Sequence, residues 1–148
     1  MKKSFFISEI IIVLLFFMSS NSFGDNEWVS IGPEGGYVQA FAINPQSPDT
    51  LYAGTTSGIF KSTNGGTNWT PMGPTSTYVQ ALAINPQAPE TLYAGTTNGI
   101  FKSTNGETNW AAINTGLTNT NVNVLAINPQ TPDTLYASTW GGWCVQDY

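Results

Sequence analysis

The chain contains no histidine and no arginine, and its 148 residues include one cysteine, Cys144. Without His, the usual catalytic triads and metal sites cannot be built. Without Arg, there is no planar fork to clamp a carboxylate in two places. One Cys cannot form an internal disulfide, so cysteine usage leaves the compartment open. Charge is also scarce: 9% of residues are charged, against about 25% in an average soluble domain. The formal net charge is −5, and an acidic chain lacks the basic stripe that nucleic acid requires. Neither a nucleic-acid partner, a metal nor a cofactor is expected. Asn, Thr, Gly and Pro fill the space that charge leaves, a composition suited to strands joined by many turns.

The N-terminus carries the targeting signal. Lys2 and Lys3 form a short positive region, residues 10–18 are an unbroken apolar run, and Ser20, Ser22 and Gly24 are small. These features read as a secretory signal peptide over residues 1–24, which would make the protein secreted or periplasmic. An uncleaved anchor fits less well, because the run is short of the ~20 apolar residues a span needs and Glu9 breaks its approach. No Cys stands just after the run, so there is no lipid-anchor signal. Cleavage leaves Lys61 and Lys102 against eight acids.

A repeat organises the rest. Ser62-Thr63-Asn64-Gly65-Gly66-Thr67-Asn68-Trp69 returns 41 residues later as Ser103-Thr104-Asn105-Gly106-Glu107-Thr108-Asn109-Trp110. Such a period marks blades or solenoid units. Trp28-Val29-Ser30-Ile31-Gly32-Pro33 matches Trp69-Thr70-Pro71-Met72-Gly73-Pro74, with a third copy at Trp110-Ala111-Ala112-Ile113, and each predicts a short strand. Residues 37–43, 78–84 and 121–127 are apolar on both faces with small Ala at alternate positions. This predicts a strand buried on both sides and closely packed on one. Turns at Asn44-Pro45, Asn85-Pro86 and Asn128-Pro129 stop it, since Pro donates no ladder hydrogen bond and holds its predecessor extended. Leu51-Tyr52-Ala53-Gly54-Thr55 and Gly58-Ile59-Phe60-Lys61-Ser62 predict two more strands, and Asn64-Gly65 and Asn105-Gly106 the positive φ of a tight turn. The repeat units are 28–68, 69–109 and a truncated 110–148. Four short antiparallel strands in about 41 residues make a propeller blade. The expected fold is all-β: a partial β-propeller of two complete blades plus partial ones.

The Ser62 motif resembles the Asp-box, or BNR repeat, of sialidase-like propellers, Ser-x-Asp-x-Gly-x-Thr-Trp, on the turn between the last two strands of a blade. Ser62, Gly66 and Trp69 match it, as do Ser103 and Trp110; Asn64 and Asn105 stand where Asp is usual, and Asn68 where Thr is usual. With Leu-Tyr-Ala-Gly-Thr and Gly-Ile-Phe-Lys-Ser around it, roughly residues 28–142 look most like the propellers of photosystem II assembly factors, sortilin-type receptors and xyloglucan-cleaving hydrolases. The resemblance implies a fold rather than an activity, because the box recurs among unrelated functions. Its physics is structural: Asn64 can hold turn N–H groups, Gly66 can take positive φ, and Trp69 brings a large apolar face to pack between blades. Glu107 replaces Gly66 in the second box, at an expected strain of about 1 kcal/mol.

The missing Arg argues against a literal sialidase. Asp49, Glu90 and Asp133 recur after a Pro and before Thr-Leu-Tyr. A carboxylate present in every unit belongs to the turn rather than to an acid/base pair. Asp25, Glu27 and Glu34 are isolated and read as solvated. Tyr52, Tyr93 and Tyr136 recur and are expected between blades. Trp140 and Trp143 leave the repeat; an exposed Trp could stack on a sugar ring. Asn68-Trp69-Thr70 is a glycosylation sequon. No catalytic residue is expected.

After Thr139 the repeat expects Gly-Ile-Phe-Lys-Ser, and the chain gives Trp143-Cys144-Val145-Gln146-Asp147-Tyr148. Read one base later, the codons for these residues give Gly, then Val or Ala, then Phe, Ser, Tyr or Cys, then Lys or Arg. Gly-Val-Phe-Lys, the expected strand, is among those readings. A frameshift ending a longer propeller early is therefore expected, with no evolved role for Trp143 or Cys144. Closed propellers hold about four to eight blades. The units present leave an unpaired edge and an apolar blade face, unless several chains share one ring. The expected function is a secreted, non-catalytic binding or scaffold module for a protein or polysaccharide, able to self-associate through its open edges and with no membrane span after signal cleavage. A fragment of a glycoside hydrolase and an assembly factor for a membrane complex are the alternatives.

Overall fold

A computed structural model of the chain describes residues 29–34, 36–73, 76–106 and 109–147. The signal peptide expected over residues 1–24, Asp25, Glu27, Trp28 and Glu107 lie outside them.

The described residues form eleven strands and no helix. The first sheet holds β1 (Val38–Ile43), β2 (Leu51–Thr55), β3 (Gly58–Ser62) and β4 (Thr70–Met72), in that order. The second holds β5 (Val79–Ile84), β6 (Leu92–Thr96), β7 (Gly99–Ser103) and β8 (Trp110–Ala112). The third holds β9 (Val122–Ile127), β10 (Thr134–Thr139) and β11 (Gly142–Asp147). Every pairing is antiparallel, as the hairpin spacing of the repeat expects. The Trp-bearing segment closes the sheet of the unit before it, so each sheet is offset from the sequence repeat by one strand.

Short polar side chains build the connections. Asn44 Oδ1 accepts from the N–H groups of Gln46 (2.9 Å) and Ser47 (3.2 Å), and Asn85 and Asn128 repeat the arrangement. In the β2–β3 turn, the Thr55 hydroxyl donates to the Gly58 carbonyl and accepts from Ser57 N–H; Thr96 does the same before β7. These bonds satisfy backbone groups that a charge-poor surface would otherwise leave to water.

The core lies between sheets. Tyr52, Ile59 and Met72 of the first sheet pack on Val79, Leu92 and Ala94 of the second. Tyr93, Ile100 and Ala83 of the second pack on Val122, Leu135 and Ala137 of the third. Two glycines set how closely the sheets approach. A Cβ on Gly54 would lie 2.6 Å from Val79 Cγ1, and one on Gly95 2.8 Å from Val122 Cγ1.

Two expectations change. Burial on both faces is met best at β5, which has a sheet on each side; much of β1 and β9 is exposed, because the first and third sheets each have a single neighbouring sheet among those described. The strand expected from Trp28 does not form over residues 29–33, since no described strand lies beside them to complete a ladder. Residues 142–147, which depart from the repeat, still form β11 in the place of β3 and β7. There Cys144 replaces Phe60 and Phe101, and it lines a cavity of about 220 Å³ with Ile100, Leu117, Leu135 and Ala137.

Gly95→Ala is expected to destabilise the chain by about 1–3 kcal/mol through overpacking. The control Gly32→Ala, with no atom within 4 Å of the added carbon, should change stability by less than about 0.5 kcal/mol. Cys144→Phe, by filling the cavity, should add about 0.5–2 kcal/mol. Urea denaturation of the three variants measures all of these.

Candidate functional site

The Ser62 turn is tied by its own side chains. The Ser62 hydroxyl donates to Asn64 Oδ1 (3.0 Å) and accepts from the N–H groups of Gly66 (2.9 Å) and Asn64 (3.3 Å). Asn64 Oδ1 also accepts from Asn68 N–H (2.9 Å). Gly65 and Gly66 both have positive φ, 66° and 90°. Trp69 lies edge-on to Phe41, with ring centroids 6.3 Å apart, and its Nε1–H donates to the Ile31 carbonyl. In the second copy the Ser103 hydroxyl donates to Asn105 Oδ1 (3.0 Å), which accepts from Asn109 N–H (3.4 Å). Trp110 packs against the first interface, where its Nε1 is buried without a hydrogen-bond partner. The Ser62 hydroxyl and Asn64 Oδ1 are therefore directed at the turn's own backbone and at each other.

The recurring carboxylates sit beside these turns. Gly65 N–H donates to the Asp49 carbonyl (3.0 Å), and a Cβ on Gly106 would touch Glu90. The Asn-Pro turn and the Ser turn of each unit thus meet at one end of the sheets. Gln46 Nε2 reaches from the first sheet's turn to the carbonyls of Pro86 (3.3 Å) and Gln87 (3.4 Å), and Gln87 Nε2 to that of Pro129 (3.4 Å). Sequence reasoning missed these ties, although a Gln follows each Asn-Pro and the recurrence was there to be read.

At this end a groove of about 420 Å³ opens between the first two sheets, lined by Asn44, Ser47, Thr50, Lys61, Glu90 and Asn105 among others. Tyr52 forms part of its floor, with Lys61 Nζ 5.9 Å from the ring centroid. Amides, hydroxyls, one ammonium and one carboxylate surround an aromatic ring, a set able to bind a hydroxylated or peptide-like ligand. Asp133 belongs to the third sheet, on the far side of the second. Among the described residues no cluster of His, Cys, Asp and Glu is arranged to hold a metal ion, and no helix is long and apolar enough to cross a membrane. Tyr136, Trp140 and Trp143 are exposed on the third sheet and its turn.

Residues 17–141 match the DUF6242 beta propeller domain. No curated protein matches the chain in sequence. Among solved structures it is similar to an ancestral GH74 enzyme, with a TM-score of 0.66 and 20% identity over 78% of this chain and 18% of the other. It is similar to PorZ, an essential bacterial surface component of the type-IX secretion system of Porphyromonas gingivalis (TM-score 0.62, 17% identity, 77% of this chain, 18% of the other). It is also similar to YCF48 from Cyanidioschyzon merolae (TM-score 0.59, 13% identity, 76% of this chain, 34% of the other). Likeness at these identities carries the fold alone, and the chain spans between 18% and 34% of the length of these proteins. The three stacked antiparallel sheets and the match over residues 17–141 agree: the chain belongs to the DUF6242 beta-propeller domain family.

Proposed function

We propose that the chain is a secreted or periplasmic, non-catalytic binding or scaffold module whose Ser62 and Ser103 turns are structural Asp-boxes. The groove between the first two blades carries this reading. Its lining offers many neutral hydrogen-bonding groups and a single carboxylate, Glu90, which suits recognition of a polysaccharide or an extended protein segment. The likeness to PorZ, a surface component, supports the location. A second reading, part of a glycoside hydrolase, is favoured by the likeness to a GH74 enzyme and by Glu90 on the groove. Hydrolysis of that kind needs a second carboxylate about 5–10 Å from the first, and the groove lining does not supply one.

Titrating the full chain with a panel of soluble polysaccharides and extended peptides tests the reading. At least one should bind, Lys61→Met or Glu90→Gln should weaken it about tenfold, and the bound glycan should be recovered uncut. Release of new reducing ends, abolished by Glu90→Gln, would favour the enzyme instead. Ser62→Ala should lower stability by about 1–3 kcal/mol, since it strands turn N–H groups, while the ligand preference stays unchanged.

A further inference from the structure

The chain holds three Asn-Gly pairs, Asn64-Gly65, Asn98-Gly99 and Asn105-Gly106. Such a pair can react with itself. The glycine nitrogen attacks the side-chain carbonyl carbon of the asparagine, ammonia leaves, and a cyclic imide forms. Glycine permits the approach because it has no Cβ and its backbone turns freely. The attack requires that nitrogen to be free of hydrogen bonds and the peptide group between the two residues to rotate. The fold treats the three pairs differently in both respects.

At Asn64 the peptide group is held at both ends. Gly65 N–H donates to the Asp49 carbonyl (3.0 Å), and the Asn64 carbonyl accepts from the Thr67 N–H (3.3 Å) and hydroxyl (3.0 Å). At Asn98 the clamp is a side chain. Asn114 Nδ2 donates to the Asn98 carbonyl (3.3 Å) and Asn114 Oδ1 accepts from Ile100 N–H (2.8 Å), so the amide spans Gly99, itself paired with Thr96 in the β6–β7 ladder. At Asn105 the side chain is arranged as in Asn64: its Oδ1 accepts from the Ser103 hydroxyl (3.0 Å) and from Asn109 N–H (3.4 Å). These donors draw charge onto the oxygen and stand where an oxyanion would develop, which opens Cγ to attack. The nucleophile is what differs. Among the described residues Gly106 N–H has no hydrogen-bond partner. Gly106 is buried against the Glu90 backbone, while Asn105 is exposed. A buried donor without a partner is unfavourable, and imide formation removes it, because the ring nitrogen carries no hydrogen.

We propose that Asn105 is a site of self-modification, converted in the folded chain to aspartate and isoaspartate. The Gly106 nitrogen gives its proton to hydroxide and bonds to Asn105 Cγ. The Cγ–Nδ2 bond breaks, and ammonia leaves with a proton from water. Water then adds to one of the two ring carbonyls and breaks its bond to the ring nitrogen, which regains a proton. Opening at Cγ gives aspartate; opening at the main-chain carbonyl gives isoaspartate, whose chain runs through the former side chain. Hydroxide is regenerated and water is the only reactant consumed. Either product puts a carboxylate where a neutral amide stood. Asn105 lines the groove together with Lys61 and Glu90, so the reaction adds negative charge to that wall. In aspartate the new carboxylate keeps the Ser103 and Asn109 donors, now as charge-assisted hydrogen bonds.

Peptide mass spectrometry tests this on the full chain, incubated in mildly alkaline buffer made with heavy-oxygen water. Cleavage after Lys61 and Lys102 puts Asn105 on a peptide apart from Asn64 and Asn98. Asn105 is expected to become a mixture of aspartate and isoaspartate carrying solvent oxygen, about tenfold or more faster than either other site. In urea the three sites should convert at similar rates, because the fold alone sets them apart. Asn114→Ala should speed conversion at Asn98 about tenfold and leave Asn105 unchanged. An Asn105 that stays an amide in the folded chain, or converts no faster there than Asn64 and Asn98, overturns the proposal.

Discussion

The structure depends on one contact: the Tyr and Ile face of a blade against the Leu, Ile and Ala face of the next. Strands of three to six residues cannot bury a core within a single small sheet. Each interface buries six apolar residues from both partners, with Tyr52 and Tyr93 at its centre. Full burial of one such side chain is worth about 1.5–3 kcal/mol, so the stack, not the single blade, is the stable unit. Gly54 and Gly95 are part of the same contact, because any side chain there would push the sheets apart. With so few charges in the chain, ion pairs have little share in holding it together.

The polar groups serve this stack and, through it, the site. Asn44, Thr55 and Ser62 each close a connection by binding backbone groups; in the second blade Asn85 and Thr96 do likewise, and the Ser103 hydroxyl donates to the Asn105 side chain. Stacking brings the turns of adjacent blades to one end, where Gln46 and Gln87 join them. The groove exists because two such ends meet. Its residues come from separate repeats, so a ligand bound there would meet a pair of blades and not one motif alone.

Much of this was legible in the sequence. The period placed every strand from β1 to β10 within a few residues, and Asn-Pro and Asn-Gly marked turns because their backbone constraints are local. Asn64 and Gly66 could be assigned to the turn for the same reason. What sequence could not carry was context. Residues 29–33 have the pattern of β4 yet lack a ladder, because a strand needs a partner that pattern does not specify. Phe41 and Leu82 occupy one repeat position, and the first is exposed only because its blade lacks a described neighbour on that side. The groove was hidden because its lining is drawn from two separate stretches, residues 44–61 and 89–106.

The measurement that tests the central claim most directly is hydrogen–deuterium exchange of the chain and of its Gly95→Ala variant. β5, β6 and β7 lie inside the stack and should be the best protected strands of the unaltered chain. The account predicts that Gly95→Ala, by parting the second and third sheets, speeds exchange in β6 and β10 together, since the two strands share one contact. Faster exchange in β6 alone, with β10 as protected as before, would contradict it.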